Sequence, residues 1–441
     1  MKNKVFKSQN LWSKAKKIIP GGNGLLSKRP ERYASDIWPV YYEKAKGCVI
    51  WDIDGNEYID MAQNGIGTSI LGYSDDDVNA AVSDCLTKSI NTTLNAPEEV
   101  ELAEMMLKLN PKMDMVKFAK GGGEAMSMAV RIARAASNKD TIAFSGYHGW
   151  SDWYIASNLS SGNNLDQHLL PGLNPIGVPK GLKGTAIPFE YDNIDEFKKV
   201  IDNNDCGVVV IEGARYDFPS SEFVDYISNE CNKRGIILIV DEITSGFRVN
   251  NSGVYNYLNY EPDIVVYGKA IANGFPMSVI CGKSTVMSSA SDTFMSSTMW
   301  TERVGFVAAL ATINKFTEHK VHEHLLSMGS KIKNIWIDSA KENHVDIKVS
   351  NFLPLVTFSL QYGEQNNNIL TLFIQEMLRR GFISTSSVYV TYAHTDAILE
   401  KYEIAINEVF AILGDAIEKN KILDHLESNI RSDMFKRLTT K

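Results

Sequence analysis

The chain is poor in cysteine, and no two of its five cysteines are spaced as a pair. Cys48, Cys85, Cys206, Cys231 and Cys281 lie far apart, and none forms a CxxC. That scatter argues against a zinc ribbon and a disulfide framework, and fits buried thiols in a reducing cytosol. No run of about 18 apolar residues occurs, so no membrane span is expected. Positive charge is in deficit: 45 Lys and Arg stand against 53 Asp and Glu, a net charge of −8. An acidic balance argues against nucleic acid or an anionic membrane as the main partner. The basic opening "MKNKVFKSQNLWSKAKK" has no apolar stretch behind it and does not read as a secretory signal. A cytoplasmic location is the expectation. There is no internal repeat and no low-complexity segment. The histidine-rich stretch "EHKVHEHLL", with His319, His322 and His324, sits among charged residues at helical spacing. It reads as a solvated face rather than a metal site, and no metal is expected.

What is present is a long alternation of strand and helix. With 441 residues the chain can bury a large core and form two domains. "MVKFAK", "TIAFSGYHG", "CGVVVIEG", "IILIVDEI" and "DIVVYGK" are apolar runs, and amphipathic segments such as "SEFVDYISNECNKRG" lie between them. Near-continuous Val and Ile runs alternating with helices predict a parallel sheet covered on both faces. Before that, "GCVIWDIDGNEYIDM" alternates around Asp54-Gly55-Asn56 and predicts a hairpin. From about residue 311 the pattern turns helical with a few strands, "LPLVTFSL" and "VYVTYAH".

Ligands of open α/β sheets bind at the carboxyl ends of the strands, and each strand here ends in something reactive or permissive. After the first comes Gly121-Gly122-Gly123, then a helix expected to begin near Glu124 with a stripe of Ala125, Met128, Ala129, Ile132, Ala133 and Ala136. Glycines before a helix start admit an anion to free N–H groups and the positive end of the dipole. A plain tight turn is an equal reading. The spacing is neither GxGxxG nor a Walker loop: "GKST" at 282–285 has Met277 where the upstream glycine belongs. After the second strand come Tyr147 and His148 in a glycine-flanked loop; the aromatic suits stacking on a flat ligand, or simply packs on the domain surface. Asp241 and Glu242 close another strand. A carboxylate there needs a cation or donors, which a protonated ring nitrogen, a helix start or Arg248 would supply. Lys269 ends "DIVVYG". Desolvation and nearby cations make a buried lysine a neutral amine able to form a Schiff base; the alternative is a lysine reaching to solvent. Phosphate cradle, stacking aromatic, carboxylate and lysine are together the parts that pyridoxal phosphate needs.

At this point the chain resembles the class III aminotransferases, pyridoxal-phosphate enzymes of fold type I, and within them the glutamate-1-semialdehyde aminomutase branch. The resemblance runs through "AKKIIPGG", "KGCVIWDIDGNEYIDM", "PEEVELAE", "GGGEAMSMAVRIAR", "GYHG", "VDEITSGFR", "PDIVVYGKAIANGFP" and "AHT". It implies an α/β fold with a large, mostly parallel-sheet domain and a smaller α+β domain built from both termini. The expected limits are 1–60 for the N-terminal segment, 61–310 for the cofactor domain and 311–441 for the C-terminal domain. It implies that Lys269 forms the Schiff base and then carries the proton, that Asp241 pairs with the pyridine nitrogen, and that Ile243 packs on the ring face opposite Tyr147. His148 and Glu212 join the cofactor contacts, and Gly122 and Gly123 bind the phosphate through backbone N–H groups. Thr298 matches the threonine that reaches the neighbouring subunit's phosphate, which implies a homodimer with shared sites.

The chain also departs from the family pattern. The family has Ser-Gly-Thr where this chain has Gly121-Gly122-Gly123, so hydroxyl contacts are lost. Glu212 matches the acid of Glu-Pro-Val, yet Gly213-Ala214 follow. Leu25 stands for a serine, Lys28 for an arginine with Arg29 adjacent, and Ile66 for a tryptophan of the aminomutase. "STSSVYVT" lacks the acid expected before "AHT", and "STMWTERVG" adds Trp300, Glu302 and Arg303. Lys28, Arg29, Trp150 and Trp300 are the candidate substrate contacts, and 150–184 reads as a lid or substrate-facing loop. The variant resembles chains of bacterial surface-polysaccharide pathways. The expected reaction is transfer of an amino group from an amino acid, glutamate first, to a sugar or polyhydroxy carbonyl acceptor. The aminomutase reaction is the alternative; decarboxylation, racemisation and a non-catalytic cofactor-binding role also remain.

Overall fold

The computed structural model describes residues 2–168 and 170–432. The chain divides into two compact units: residues up to Asp75 together with those from His324 onward, and Asp76–Glu323. The expected limits were residues 60 and 310; the observed divisions lie some way beyond each, because the segments past those points make their contacts with the preceding unit.

The Asp76–Glu323 unit is organised by a seven-stranded sheet. Its spatial order is Met115–Ala119, Ser278–Gly282, Ile264–Tyr267, Ile237–Asp241, Cys206–Glu212, Thr141–Ser145 and Ala186–Pro188. Ser278–Gly282 runs antiparallel to both neighbours, and every other pairing is parallel. The pattern of apolar runs does not set Ser278–Gly282 apart as a strand. An antiparallel insertion is joined to its neighbour by a short connection, so it breaks the strand–helix alternation that reveals parallel strands. All residues of Cys206–Glu212, Ile237–Asp241 and Ile264–Tyr267 are buried, as a sheet covered on both faces requires. The helix Ser221–Arg234 shows how local chemistry sets its ends. Ser220 Oγ accepts the Phe223 N–H at 3.2 Å, and Gly235 takes the left-handed conformation that stops the helix, φ +65°.

The other unit carries a four-stranded sheet, Tyr42–Lys46, Val49–Asp52, Glu57–Met61 and Phe382–Ser384. Val49–Asp52 and Glu57–Met61 form the expected hairpin, with Gly55 at φ +88° in its turn. Phe382–Ser384, far along the chain, adds in parallel to Glu57–Met61. A second, antiparallel sheet joins Ile347–Val349, Leu355–Leu360 and Ser387–Tyr389. All five cysteines are buried free thiols. Among the described residues no helix is long and apolar enough to cross a membrane, and no group of three His, Cys, Asp or Glu side chains is placed to hold a metal.

Candidate active site

Strand register assembles the site. Ser145 lies beside Ile211, Glu212 beside Asp241, and Asp241 beside Val266. The residues that follow these strand ends therefore emerge side by side: Tyr147 and His148, Arg215, Ile243 and Thr244, Gly268 and Lys269.

Asp241 is 4% exposed. Its Oδ1 accepts the Ile243 N–H at 2.9 Å, and its Oδ2 lies 2.8 Å from His148 Nδ1. The other ring nitrogen of His148 lies 3.1 Å from the Ser145 carbonyl oxygen, so each imidazole nitrogen has an acceptor before it. Trp153 stacks near the imidazole, with centroids 6.3 Å apart. Glu242, the next residue, has a different task. It points into the core, where its carboxyl accepts the Tyr255 N–H at 2.7 Å and the Ser245 hydroxyl. Burial pushes Glu242 up to about 7, against the pull of those hydrogen bonds. A Cβ on Gly213 would come within 2.7 Å of that carboxyl, which accounts for glycine after Glu212.

Glu212 is also buried, and Arg215 grips it through Nε, 3.0 Å from both oxygens, and through Nη2. Burial raises its pKa, but the Arg215 guanidinium and the Tyr147 N–H outweigh that and hold it below the usual carboxylate range. Lys269 begins a short turn with φ +42° and donates from Nζ to Thr244 Oγ1 at 2.8 Å. Arg215 Nη2 reaches the same hydroxyl at 3.3 Å. Thr244 and Arg215, neither singled out in the sequence, thus join the lysine to the Glu212 carboxylate. Arg215 carries no sequence signal, and Thr244, although inside "VDEITSGFR", has a spacing to Lys269 that carries no motif.

The helix expected from Glu124 begins at Gly122 and runs to Ser137. Glycine has low intrinsic helix propensity, which hid the true start. Glu124 turns its carboxylate back onto the N–H groups of Lys120 at 3.0 Å and Gly121 at 3.3 Å. The N–H groups of Gly122 and Gly123 donate to no protein atom among the described residues. A Cβ on Gly122 would stand 3.0 Å from Ile243 Cδ1, and one on Gly268 3.3 Å from Ile243 Cγ2. Ile243 therefore links the glycine cradle, the Asp241 strand and the Lys269 strand.

These residues fit pyridoxal phosphate by their chemistry. Unused helix-start N–H groups face an anion's place, a buried carboxylate suits a ring nitrogen, and an amine stands beside both strand ends. The family profile of the class-III aminotransferases matches residues 32–351. The chain belongs to the class-III aminotransferases. Among its relatives, a 3-aminobutyryl-CoA aminotransferase of Cloacimonas acidaminovorans is 27% identical, over 93% of this chain and 98% of its own. A glutamate-1-semialdehyde 2,1-aminomutase of Desulforamulus reducens is 29% identical, over 91% of this chain and 97% of its own. The FumI protein of Sphingopyxis sp. MTA144, solved in its pyridoxal-phosphate internal aldimine form, shares the fold with a TM-score of 0.85 at 21% identity, covering 97% of this chain and 99% of that one.

As a class-III aminotransferase the protein is pyridoxal-phosphate dependent. Lys269, Asp241, His148, Glu212, Tyr147, Ile243, Gly122 and Gly123 are brought to one edge of the sheet. Tyr147 is half-buried and meets Tyr154 edge-on at 6.1 Å. Trp150 is 77% exposed beside Gly123. Thr298 is exposed, and its carbonyl accepts the Thr301 hydroxyl at 3.0 Å. Trp300 lies on the Met115–Ala119 side, with Lys117 Nζ 6.0 Å from its ring. Glu302 and Arg303 hold that segment through ion pairs to Lys120 at 2.9 Å and Glu98 at 2.6 Å. Lys28, exposed, and Arg29, half-buried, lie in the other unit. The 150–184 segment is anchored over its first half: Trp153, Tyr154 and Ile155 are buried, and Asn158 bonds the Leu173 carbonyl at 2.8 Å and the Leu165 N–H at 2.9 Å.

Proposed function

We propose that the protein transfers an amino group from an amino acid, glutamate first among donors, to a sugar or polyhydroxy carbonyl acceptor in bacterial surface-polysaccharide synthesis, working as a homodimer in the cytoplasm. The observation that carries the reading is the line Lys269–Thr244–Arg215: the two hydrogen bonds keep the reacting amine and a guanidinium within about 6 Å. A carboxylate-bearing donor that presents its amino group to this site meets a cation at that range.

When bound, pyridoxal phosphate supplies an electrophilic carbonyl carbon and an electron-accepting ring. Asp241 would hold the ring nitrogen, with His148 fixing the carboxylate from behind. Gly122 and Gly123 would hold the phosphate, Tyr147 and Ile243 the ring faces, and Thr298 the phosphate of the partner's site. Lys269 is the base that removes the proton from the donor's Cα, a contribution typically of about 10²–10⁴-fold. Thr244 steers its Nζ. In the acceptor direction the same amine returns a proton to the carbon that receives nitrogen.

The acceptor reading is supported by what replaces the aminomutase residues. "STSSVYVT" carries no acid where the aminomutase has one. Ile66, in place of a tryptophan, sits at φ +63° in a run of left-handed residues from Asn64 to Gly67. A β-branched residue held there costs on the order of 1–3 kcal/mol and marks a turn kept for function. The aminomutase reaction is the second reading, favoured by the relatives that bear that name. Incubation with glutamate and detection of 2-oxoglutarate, followed by mass spectrometry of an acceptor panel, tests the first. Conversion of glutamate semialdehyde with no added donor would support the second and overturn the first.

A further inference from the structure

We propose that Trp150 is a ligand of the cofactor phosphate, its indole N–H standing in for the hydroxyl that the family's threonine brings at position 123. The proposal rests on the reading of Gly122 and Gly123 as the phosphate cradle.

The Gly121-Gly122-Gly123 cradle has no side-chain donor of its own. The first charged side chain of the helix, Glu124, is an acid, and it is folded back onto Lys120 and Gly121. A dianion in this place would meet backbone N–H groups alone unless a donor comes from elsewhere. The loop after Thr141–Ser145 brings one. A Cβ built on Gly123 would stand 3.2 Å from both Cδ1 and Nε1 of Trp150. The N–H-bearing edge of the indole therefore occupies the space in which a threonine side chain at 123 would begin.

The close approach is built rather than incidental. Gly149 has φ +101°, a conformation that side-chain-bearing residues rarely take, and a Cβ there would lie 2.9 Å from Gly123 Cα. On the other side of Trp150, Ser151 Oγ bonds Ser127 Oγ at 2.6 Å, and Ser127 Oγ donates to the Gly123 carbonyl at 2.9 Å. Both neighbours of Trp150 are thus tied to the first turn of the helix. The indole itself is 77% exposed. Its N–H donates to no protein atom among the described residues. An exposed aromatic whose neighbours are tied to a helix start, with its donor edge against that start, gains little from packing and is suited to a ligand. A Cβ at position 123 would press on the indole, which would have to give by a few tenths of an ångström.

The test is a titration of the full-length chain, stripped of cofactor, with pyridoxal phosphate and separately with pyridoxal, which lacks the phosphate. Binding is read by calorimetry and by the absorbance of the lysine-bound form. Trp150→Phe should weaken pyridoxal phosphate roughly 10- to 100-fold, the worth of one hydrogen bond to a charged group, and leave pyridoxal within about twofold. The double variant Gly123→Thr, Trp150→Ala should recover most of the lost affinity, because a hydroxyl then fills the vacated space. If Trp150→Phe binds both ligands as the parent does, Trp150 is not a phosphate ligand, and the cradle reading stands as long as the parent prefers the phosphorylated form. If Trp150→Phe weakens both ligands equally, the indole serves packing and the proposal falls. If the parent binds both ligands equally, the cradle reading fails and the proposal with it.

Discussion

The two edges of the seven-stranded sheet carry charge in opposite ways. At the carboxyl edge of the parallel strands Asp241, Glu212 and His148 are all under 7% exposed, and each is met by a fixed partner. At the amino edge lies a cavity of about 310 Å³, lined by Ser228, Asn232, Glu261, Asp263 and Lys283 among others. Its charges are part-buried or exposed and locally paired, Lys283 with Asp263 at 3.0 Å and Lys112 with Glu261 at 2.7 Å. Burying an ion costs several kcal/mol, so buried charge persists where other groups were placed to receive it. Helix direction divides the edges further. The Gly122–Ser137 helix starts at the carboxyl edge and offers N–H groups to an anion, whereas Ser221–Arg234 ends at the amino edge, with Lys233 and Arg234 in its last turn.

Substitutions at the two edges should differ accordingly. The largest effect is expected at Lys269. Lys269→Ala should abolish the absorbance of the lysine-bound cofactor and slow turnover on the order of 10³-fold or more. Retained absorbance after borohydride reduction and denaturation would place the linkage on another residue. Next comes Asp241→Ala, which leaves His148 buried opposite an empty space. A stability loss of about 3–5 kcal/mol is expected by denaturant titration, together with loss of cofactor affinity. A loss no greater than that of a surface pair would erase the contrast between the edges.

Glu242 makes a pH-dependent prediction within the carboxyl edge. Its folded pKa, about 7, lies above the ordinary carboxyl value, so the folded state holds a proton that the unfolded state has released. Stability from this group is present below about pH 4.5 and is lost as pH rises toward 7. Glu242→Gln should remove that slope and gain about 2–3 kcal/mol on the parent at pH 8 relative to pH 5. Parallel pH profiles for parent and variant would contradict the assignment. The smallest effect belongs to the amino edge. Lys283→Ala, which cuts a part-exposed pair, should cost about 0–1 kcal/mol and leave cofactor binding unchanged. A tenfold drop in cofactor affinity there would show that the cavity communicates with the site.

Much of this arrangement is legible in the sequence. The apolar runs at 206–212, 237–241 and 264–267 announced buried parallel strands, since residues covered on both faces leave no polar alternation. The glycine after Ser221–Arg234 marks its end because a helix stop is local chemistry. The strand Ser278–Gly282 escaped, being short and antiparallel. The helix start escaped because glycine propensity opposed it. Asp241 and Glu242 were adjacent letters of one motif; that one faces the strand-end cluster and the other the core follows from alternation along a strand whose neighbours must be known.

By itself the sequence determined the class of protein: the order of its strands and helices, its family, and the lysine and aspartate placed at strand ends. These are read from local periodicity and motif spacing. Only the tertiary structure decided who meets whom. His148 reaches Asp241 from 93 residues away, Lys269 reaches Thr244 from 25, and the indole of Trp150 closes on Gly123. A hydrogen bond demands heavy atoms within about 3 Å, and that distance is set by strand register and helix placement, which no linear spacing encodes.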